Sequence, residues 1–280
     1  MMGYSLATKG LTGLIALVCV ITAGCSAASD RPAAEQLGLA LSGITGTDGV
    51  TFEGEAALFV NGAQKKDATL YYGGALKDHN SLSLYKLSSD AAQTPKPESL
   101  STGEAASTFY SRMVKEKGNW VAAESTGAQE PLPLPGMNPL SQLDDLSSLD
   151  KTVTREQGAG RGMLLLRVEL SRDAGLRQLT RELDENMTPL RAASVGAADR
   201  PAYHAESAYA RLAELWSHEN GELQRRLKQA EVKTVYHVKV DTRRNLPKTL
   251  TRQRTIRYLT PEGKSRQEMT VLRVDFYGYR

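Results

Sequence analysis

Apolar and small residues occupy every second position of Val50–Val60 (Val50, Phe52, Gly54, Ala56, Leu58, Val60), while Thr51, Glu53 and Glu55 point the other way. That period of two predicts a half-buried strand, and Asn61-Gly62 supplies a hairpin turn after it. Ala68–Gly73 and Ser81–Leu87 read as two further strands, with Lys77-Asp78-His79-Asn80 turning between them. The period then lengthens. Ser101-Thr102-Gly103-Glu104 has capping-box spacing, and Ala106, Phe109, Tyr110, Met113 and Val114 follow as one apolar stripe, predicting a helix. Trp120–Ala122 reads as a short strand, Pro131–Gly136 as a stiff extended loop, and Asn138-Pro139 as the cap of a helix carrying Leu140, Leu143, Leu146 and Leu149 inward.

Strands return at Thr152–Glu156 and Arg161–Leu170, the second placing Leu164, Leu166, Val168 and Leu170 on one face. Ser171 caps a helix with Leu176, Leu179, Leu183 and Met187 at helical spacing. Ala202–Ala230 is a longer helical segment carrying Tyr209, Leu212, Leu215, Trp216, Leu223 and Leu227, with Gly221 expected to weaken or break it. The chain closes in a three-strand meander, Val232–Asp241, Lys248–Leu259 and Arg266–Tyr277, turned by Leu246-Pro247 and Pro261–Lys264. Strands at both ends with helices grouped between them predict an α+β fold, one antiparallel sheet with helices against it.

The first 30 residues obey a different pattern. Lys9 precedes an apolar run, Leu11–Ala23, that ends in small residues before Cys25, the layout of a secretory signal peptide. Ile21-Thr22-Ala23-Gly24-Cys25-Ser26 resembles the lipobox of bacterial lipoproteins, with Thr22 where that family usually has Leu. The resemblance implies a signal peptide over residues 1–24, diacylation of Cys25 and a membrane-held, extracytoplasmic body. A membrane-spanning anchor over Gly10–Ser29, or a plain cleavage near Ala27 or Ala28, are the alternatives. Residues 25–48, rich in Ala, Ser and Gly, read as a flexible tether, and residues 49–280 as a single domain.

The only cysteines, Cys19 and Cys25, lie in that targeting segment, so the body has no thiol for a disulfide, a zinc–thiolate site or a nucleophile. A chain of this length holds together through its core alone. The net charge of +3 is unevenly spread: Arg243, Arg244, Lys248, Arg252, Arg254 and Arg257 follow one another with no acid between them. This run reads as a solvated sheet face with salt-bridge partners elsewhere, or as a surface for anionic lipid or wall polymer. Nucleic acid is not an expected partner.

No constellation for catalysis or metal binding emerges. His79, His204, His218 and His237 are scattered, and Ser83-Leu84-Tyr85-Lys86 has S-x-x-K letters but lies in a strand, which turns Ser and Lys to opposite faces. Gly158–Gly162 precedes a strand rather than a helix, so it reads as a turn. Adjacent carboxylates, Asp144-Asp145 and Asp184-Glu185, diverge on a helix, and Glu53 with Glu55 faces solvent. No enzyme activity, metal or cofactor is expected.

Val240–Lys248 (Asp241 and Leu246-Pro247 flanking the turn) and Tyr258–Gly263, followed by a last strand ending Asp275-Phe276-Tyr277, resemble the closing meander of the half-barrel lipoproteins grouped with LolA and LprG. The resemblance covers the layout of most of Gly49–Tyr279, and the Pro-rich insertion near Pro131–Gly136 departs from it. It implies a curved antiparallel sheet, a half-barrel, with helices covering its concave face, and a non-catalytic lipoprotein that binds a lipid or another amphiphile. Candidate lining residues on that basis are Phe52, Leu58, Leu164, Leu166, Val168, Leu179, Leu183, Leu212, Trp216, Tyr236 and Val238, each otherwise ordinary core. The alternative is a scaffold lipoprotein docking an envelope protein.

Overall fold

The computed structural model describes residues 31–87, 110–123, 136–196 and 205–280. Its elements are α1 (Ala33–Thr45), β1 (Val50–Val60), β2 (Ala63–Lys77), β3 (Ser81–Leu87), β4 (Tyr110–Glu116), β5 (Asn119–Ala122), α2 (Pro139–Ser148), β6 (Lys151–Glu156), β7 (Met163–Leu170), α3 (Arg172–Gly196), α4 (Ala205–Gln229), β8 (Glu231–Asp241), β9 (Leu246–Leu259) and β10 (Ser265–Tyr277). The strands form one open, curved ten-stranded sheet in the order β5-β4-β3-β2-β1-β10-β9-β8-β7-β6. Every pairing is antiparallel, so the expected α+β half-barrel is the fold. Two meanders of five strands meet at β1 and β10, the first strand of one and the last of the other.

Tight turns set the registers. Asn61-Gly62 and Lys117-Gly118 both have φ > 0 at two successive residues, the backbone a two-residue hairpin requires. The second explains a departure from the periodicity. Tyr110, Met113 and Val114, expected on a helix, lie in β4, where the Lys117-Gly118 turn pairs Met113 and Val114 with β5, and Tyr110 pairs with Tyr85 of β3. A short apolar run fits either period, and here the turn decides. Residues 101–109 of that expected helix, and Pro131–Pro135 of the expected loop, lie outside the described residues.

Register shifts in β1 against β2 and in β8 against β9 interrupt the ladders and bend the sheet. Glycines let aromatic rings lie flat across neighbouring strands. A Cβ on Gly54 would come within 2.9 Å of the Tyr72 ring, and one on Gly74 within 2.5 Å of the Phe52 ring.

Residues 33–45, expected as part of a tether, instead form α1. Leu37, Ala40, Leu41 and Ile44 recur at helical spacing and are buried in the main core. The Ala, Ser and Gly content that reads as a linker is what lets the helix approach closely: a Cβ on Gly43 would stand 2.3 Å from the Asn245 carbonyl oxygen.

Asn138 caps α2, accepting from the amides of Leu140 and Ser141 at 3.0 and 3.2 Å, and Ser171 caps α3 through Ala174 N–H, both as the sequence predicts. Gly221 does not break α4, which runs unbroken through it on its exposed side. Among the described residues no helix is long and apolar enough to cross a membrane.

Candidate functional site

Strand β9 turns Leu250, Arg252, Arg254 and Ile256 to the same face. Arg252 stands opposite Tyr236 of β8 and Leu272 of β10, and Arg254 opposite Thr234 and Thr270. This is the concave face, so both guanidinium groups enter the interior, with Arg252 6% and Arg254 3% exposed. That corrects the reading of the basic run as a single surface feature. Arg243, Arg244 and Arg257 are exposed, Lys248 is half-buried over the Tyr279 ring, and only Arg252 and Arg254 have the strand parity and position that bury them.

Helix α3 supplies the counter-charge. Gln178 and Glu182, one turn apart, face the arginines. Arg254 donates to Glu182 Oε2 at 2.7 Å, to Glu182 Oε1 at 3.0 Å, to Gln178 Oε1 at 2.8 Å and to Thr234 Oγ1 at 3.4 Å. Arg252 donates to Glu182 Oε1 at 2.9 Å. The Tyr236 hydroxyl donates to Gln178 Oε1 at 3.1 Å, and Gln178 also donates to Asp145 of α2 at 2.8 Å. Asp145 is itself paired with Arg181. A buried layer with two arginines and one carboxylate thus lies across the concave face.

Among the described residues, three buried side-chain polar atoms have no hydrogen-bond partner, and all three lie around this layer: Arg252 Nε, Tyr72 Oη and Gln142 Oε1. Gln142 reaches the layer through Gly136, whose carbonyl accepts from Gln142 Nε2 at 2.6 Å. A Cβ on Gly136 would lie 2.9 Å from Arg252 Nη2 and 3.1 Å from Glu182 Oε2. The Tyr72 ring lies over Gly54, and its hydroxyl is within electrostatic reach of Arg252. Unsatisfied groups so deeply buried are uncommon and each costs roughly 1–3 kcal/mol.

The electrostatics fix the protonation states. Burial opposes ionisation of Glu182, but Arg252 and Arg254 outweigh it and hold the carboxyl below the ordinary carboxylate range. Burial pushes the Tyr72 hydroxyl well above the ordinary phenol range, against a smaller opposing pull from Arg252. Burial works against the Arg252 charge, yet Glu182 holds its pKa above the ordinary value. At neutral pH the layer therefore carries two cations, one anion and two neutral phenols, Tyr72 and Tyr236.

Apolar surface lies on both sides of the layer. On one side Phe52, Leu166, Val168, Tyr236 and Val238 are packed within the main core, with Leu164 against it. On the other, Leu179 belongs to a second cluster with Leu227, Ala230 and Val232, and Leu183 and Ile256 lie against it. Leu58 is half-buried on β1, and the side chains of Leu212 and Trp216 lie outside the described residues, as does Cys25. The fold thus places Phe52, Leu166, Val168, Tyr236, Val238 and Leu179 in packed core on either side of a polar centre that the periodicity does not announce. The residues missed from sequence are Tyr72, Gln142, Gln178, Glu182 and Thr234. The one signal for the centre is the parity of β9, where two arginines occupy positions between the inward-facing Leu250 and Ile256.

A separate shallow cleft of about 350 Å³ is bounded by Asp150, Lys151, Thr152, Thr154, Arg167, Glu169, Leu170 and Ser171. Asp144 and Asp145 diverge as expected: Asp144 accepts from Lys115 at 2.8 Å and Trp120 Nε1 at 3.2 Å, Asp145 from α3. His79 pairs with Asp48 at 2.7 Å and His237 with Glu156 at 3.4 Å. Among the described residues no group of three or more His, Cys, Asp or Glu side chains is placed to hold a metal ion.

No protein-family model matches the chain, and no curated protein is significantly similar to it. Among solved structures it is similar to a LolA superfamily protein from Nitrosomonas europaea, with 9% identity, a TM-score of 0.30, and 89% of this chain and 93% of that one covered. It is also similar to a DUF1329 family protein from Desulfovibrio piger, with 11% identity, a TM-score of 0.24 and the same shares covered. Both likenesses are distant.

Proposed function

We propose that this chain is an extracytoplasmic lipoprotein, held on the membrane by an acylated Cys25, whose half-barrel binds an amphiphile at its concave face without catalysis. The supporting observation is the composition of that face: apolar clusters on both sides of a buried layer of hydrogen-bond donors, the two kinds of surface that an amphiphile presents. The lipobox-like Ile21–Cys25 supports the anchor and the location.

Two measurements test this reading. Palmitate incorporation in cells is expected for the full chain and lost in Cys25→Ser; continued incorporation removes the anchor. The mature protein, purified gently and compared by native and denaturing mass spectrometry, is expected to release a lipid-sized mass on denaturation.

A second reading, a scaffold that docks an envelope protein, is favoured by one observation. Phe52, Leu166, Val168, Tyr236 and Val238 are fully enclosed by their neighbours. A protein that carries no lipid and refuses added lipid makes that reading the better one.

A further inference from the structure

We infer that the polar layer receives the anionic head of the bound amphiphile, an oxyanion oxygen accepting hydrogen bonds from Arg252 Nε–H and Tyr72 Oη–H. This rests on the amphiphile-binding reading and names the ligand class.

Much of the layer is already satisfied. Every side-chain nitrogen of Arg254 has a partner on Glu182, Gln178 or Thr234. Glu182 is shared between both guanidinium groups, and Asp145 is engaged by Arg181 and Gln178. Two guanidinium charges thus face one carboxylate, an excess of one cation in a place where an unpaired charge is expensive. The excess is localised on Arg252, whose Nε is buried and unpartnered. Tyr72, 2% exposed, carries a second unpartnered donor, within electrostatic reach of that guanidinium. Burial keeps its proton in place, so it donates.

Two donors and one uncompensated positive charge define an acceptor that is itself negative: a carboxylate or phosphate oxygen. A neutral hydroxyl head could use the donors but would leave the charge unmatched. Gln142 Oε1 is an acceptor and has no part in holding the anion. Gly54 is required for this geometry, because a side chain there would collide with the Tyr72 ring where it lies over β1.

The test uses the full chain reconstituted in nanodiscs of neutral lipid, titrated calorimetrically after subtraction of empty discs. The probes are decanoate, decanol, acetate and inorganic phosphate. Decanoate is expected to bind at least about tenfold more tightly than decanol, with acetate and phosphate far weaker than decanoate. Arg252→Gln and Tyr72→Phe are each expected to weaken decanoate about tenfold and decanol by less, so that the preference for decanoate falls. Tyr72→Phe removes only an unpartnered hydroxyl, so it folds and keeps the test decisive even if Arg252→Gln does not. Equal affinities for decanoate and decanol, or a Tyr72→Phe protein with an unchanged ratio, overturn the head-group inference and leave amphiphile binding standing. Acetate or phosphate binding as tightly as decanoate keeps the anion site and overturns the amphiphile reading. Binding of none of the four probes overturns both.

Discussion

Two glycines on helices show how differently the same residue behaves in different surroundings. Gly43 of α1 lies against the backbone of the β8–β9 turn, and a methyl group there would meet the Asn245 carbonyl oxygen at 2.3 Å. Backbone cannot swing aside as a side-chain tip can, so Gly43→Ala is expected to cost about 1–3 kcal/mol through overpacking. Gly221 of α4 faces open space, and a methyl group added there would have nothing within 4 Å. There the helix gains from the lower backbone entropy of alanine, and Gly221→Ala is expected to stabilise by about 0.5–1 kcal/mol. Urea unfolding of both variants checks the pair, and shifts of the same sign would contradict it. The sequence alone does not separate these glycines, since what decides is a neighbour 202 positions away in one case and none in the other. Arg252 and Arg254 are the reverse case. Their inward parity is readable from Leu250 and Ile256, but a run of six cations draws attention to charge and away from period.

At the level of elements, legibility follows the strength of the local signal. Strands β1, β3, β7, β8, β9 and β10 are readable because alternation sustained over several residues fits a strand and not a helix, and the caps Asn138 and Ser171 mark two helix starts correctly. β4 is not, because its short apolar run satisfies helical spacing too and its partner strand is specified by Lys117-Gly118. α1 is hidden by composition. Its small residues resemble a linker, while Leu37, Ala40, Leu41 and Ile44 mark one buried stripe. Leu37, 1% exposed, is the sharpest discriminator between helix and linker. If α1 is part of the core, Leu37→Ala costs about 2–5 kcal/mol. In a tether the same change costs nothing. Denaturant midpoints with an unchanged slope measure the difference directly. The polar layer is the least legible feature, since its parts come from β2, α2, α3, β8 and β9 and share no local pattern.

For the whole molecule, the ionic layer ties α3 to strands β8 and β9, and its balance makes stability depend on pH. In the folded chain Glu182 is held below the ordinary carboxylate range by Arg252 and Arg254, which overcome its burial. The unfolded chain therefore binds a proton at this site more readily than the folded one does. Stability from the site is complete above the ordinary carboxylate pKa and is lost as pH falls through that range towards the lowered folded value. Removing the charge outright leaves two guanidinium groups, 6% and 3% exposed, without their carboxylate. Glu182→Gln is accordingly expected to lose about 3–5 kcal/mol at neutral pH, the cost of breaking a buried pair. The loss should shrink as pH falls, because the wild-type carboxyl becomes neutral as well, so the two stability curves converge in acid. Unfolding free energies of both proteins from neutral pH to below the carboxylate range give the curves. Parallel curves would mean that Glu182 carries no charge in the fold, and the counting of two cations against one anion, on which the anion site depends, would fail with it.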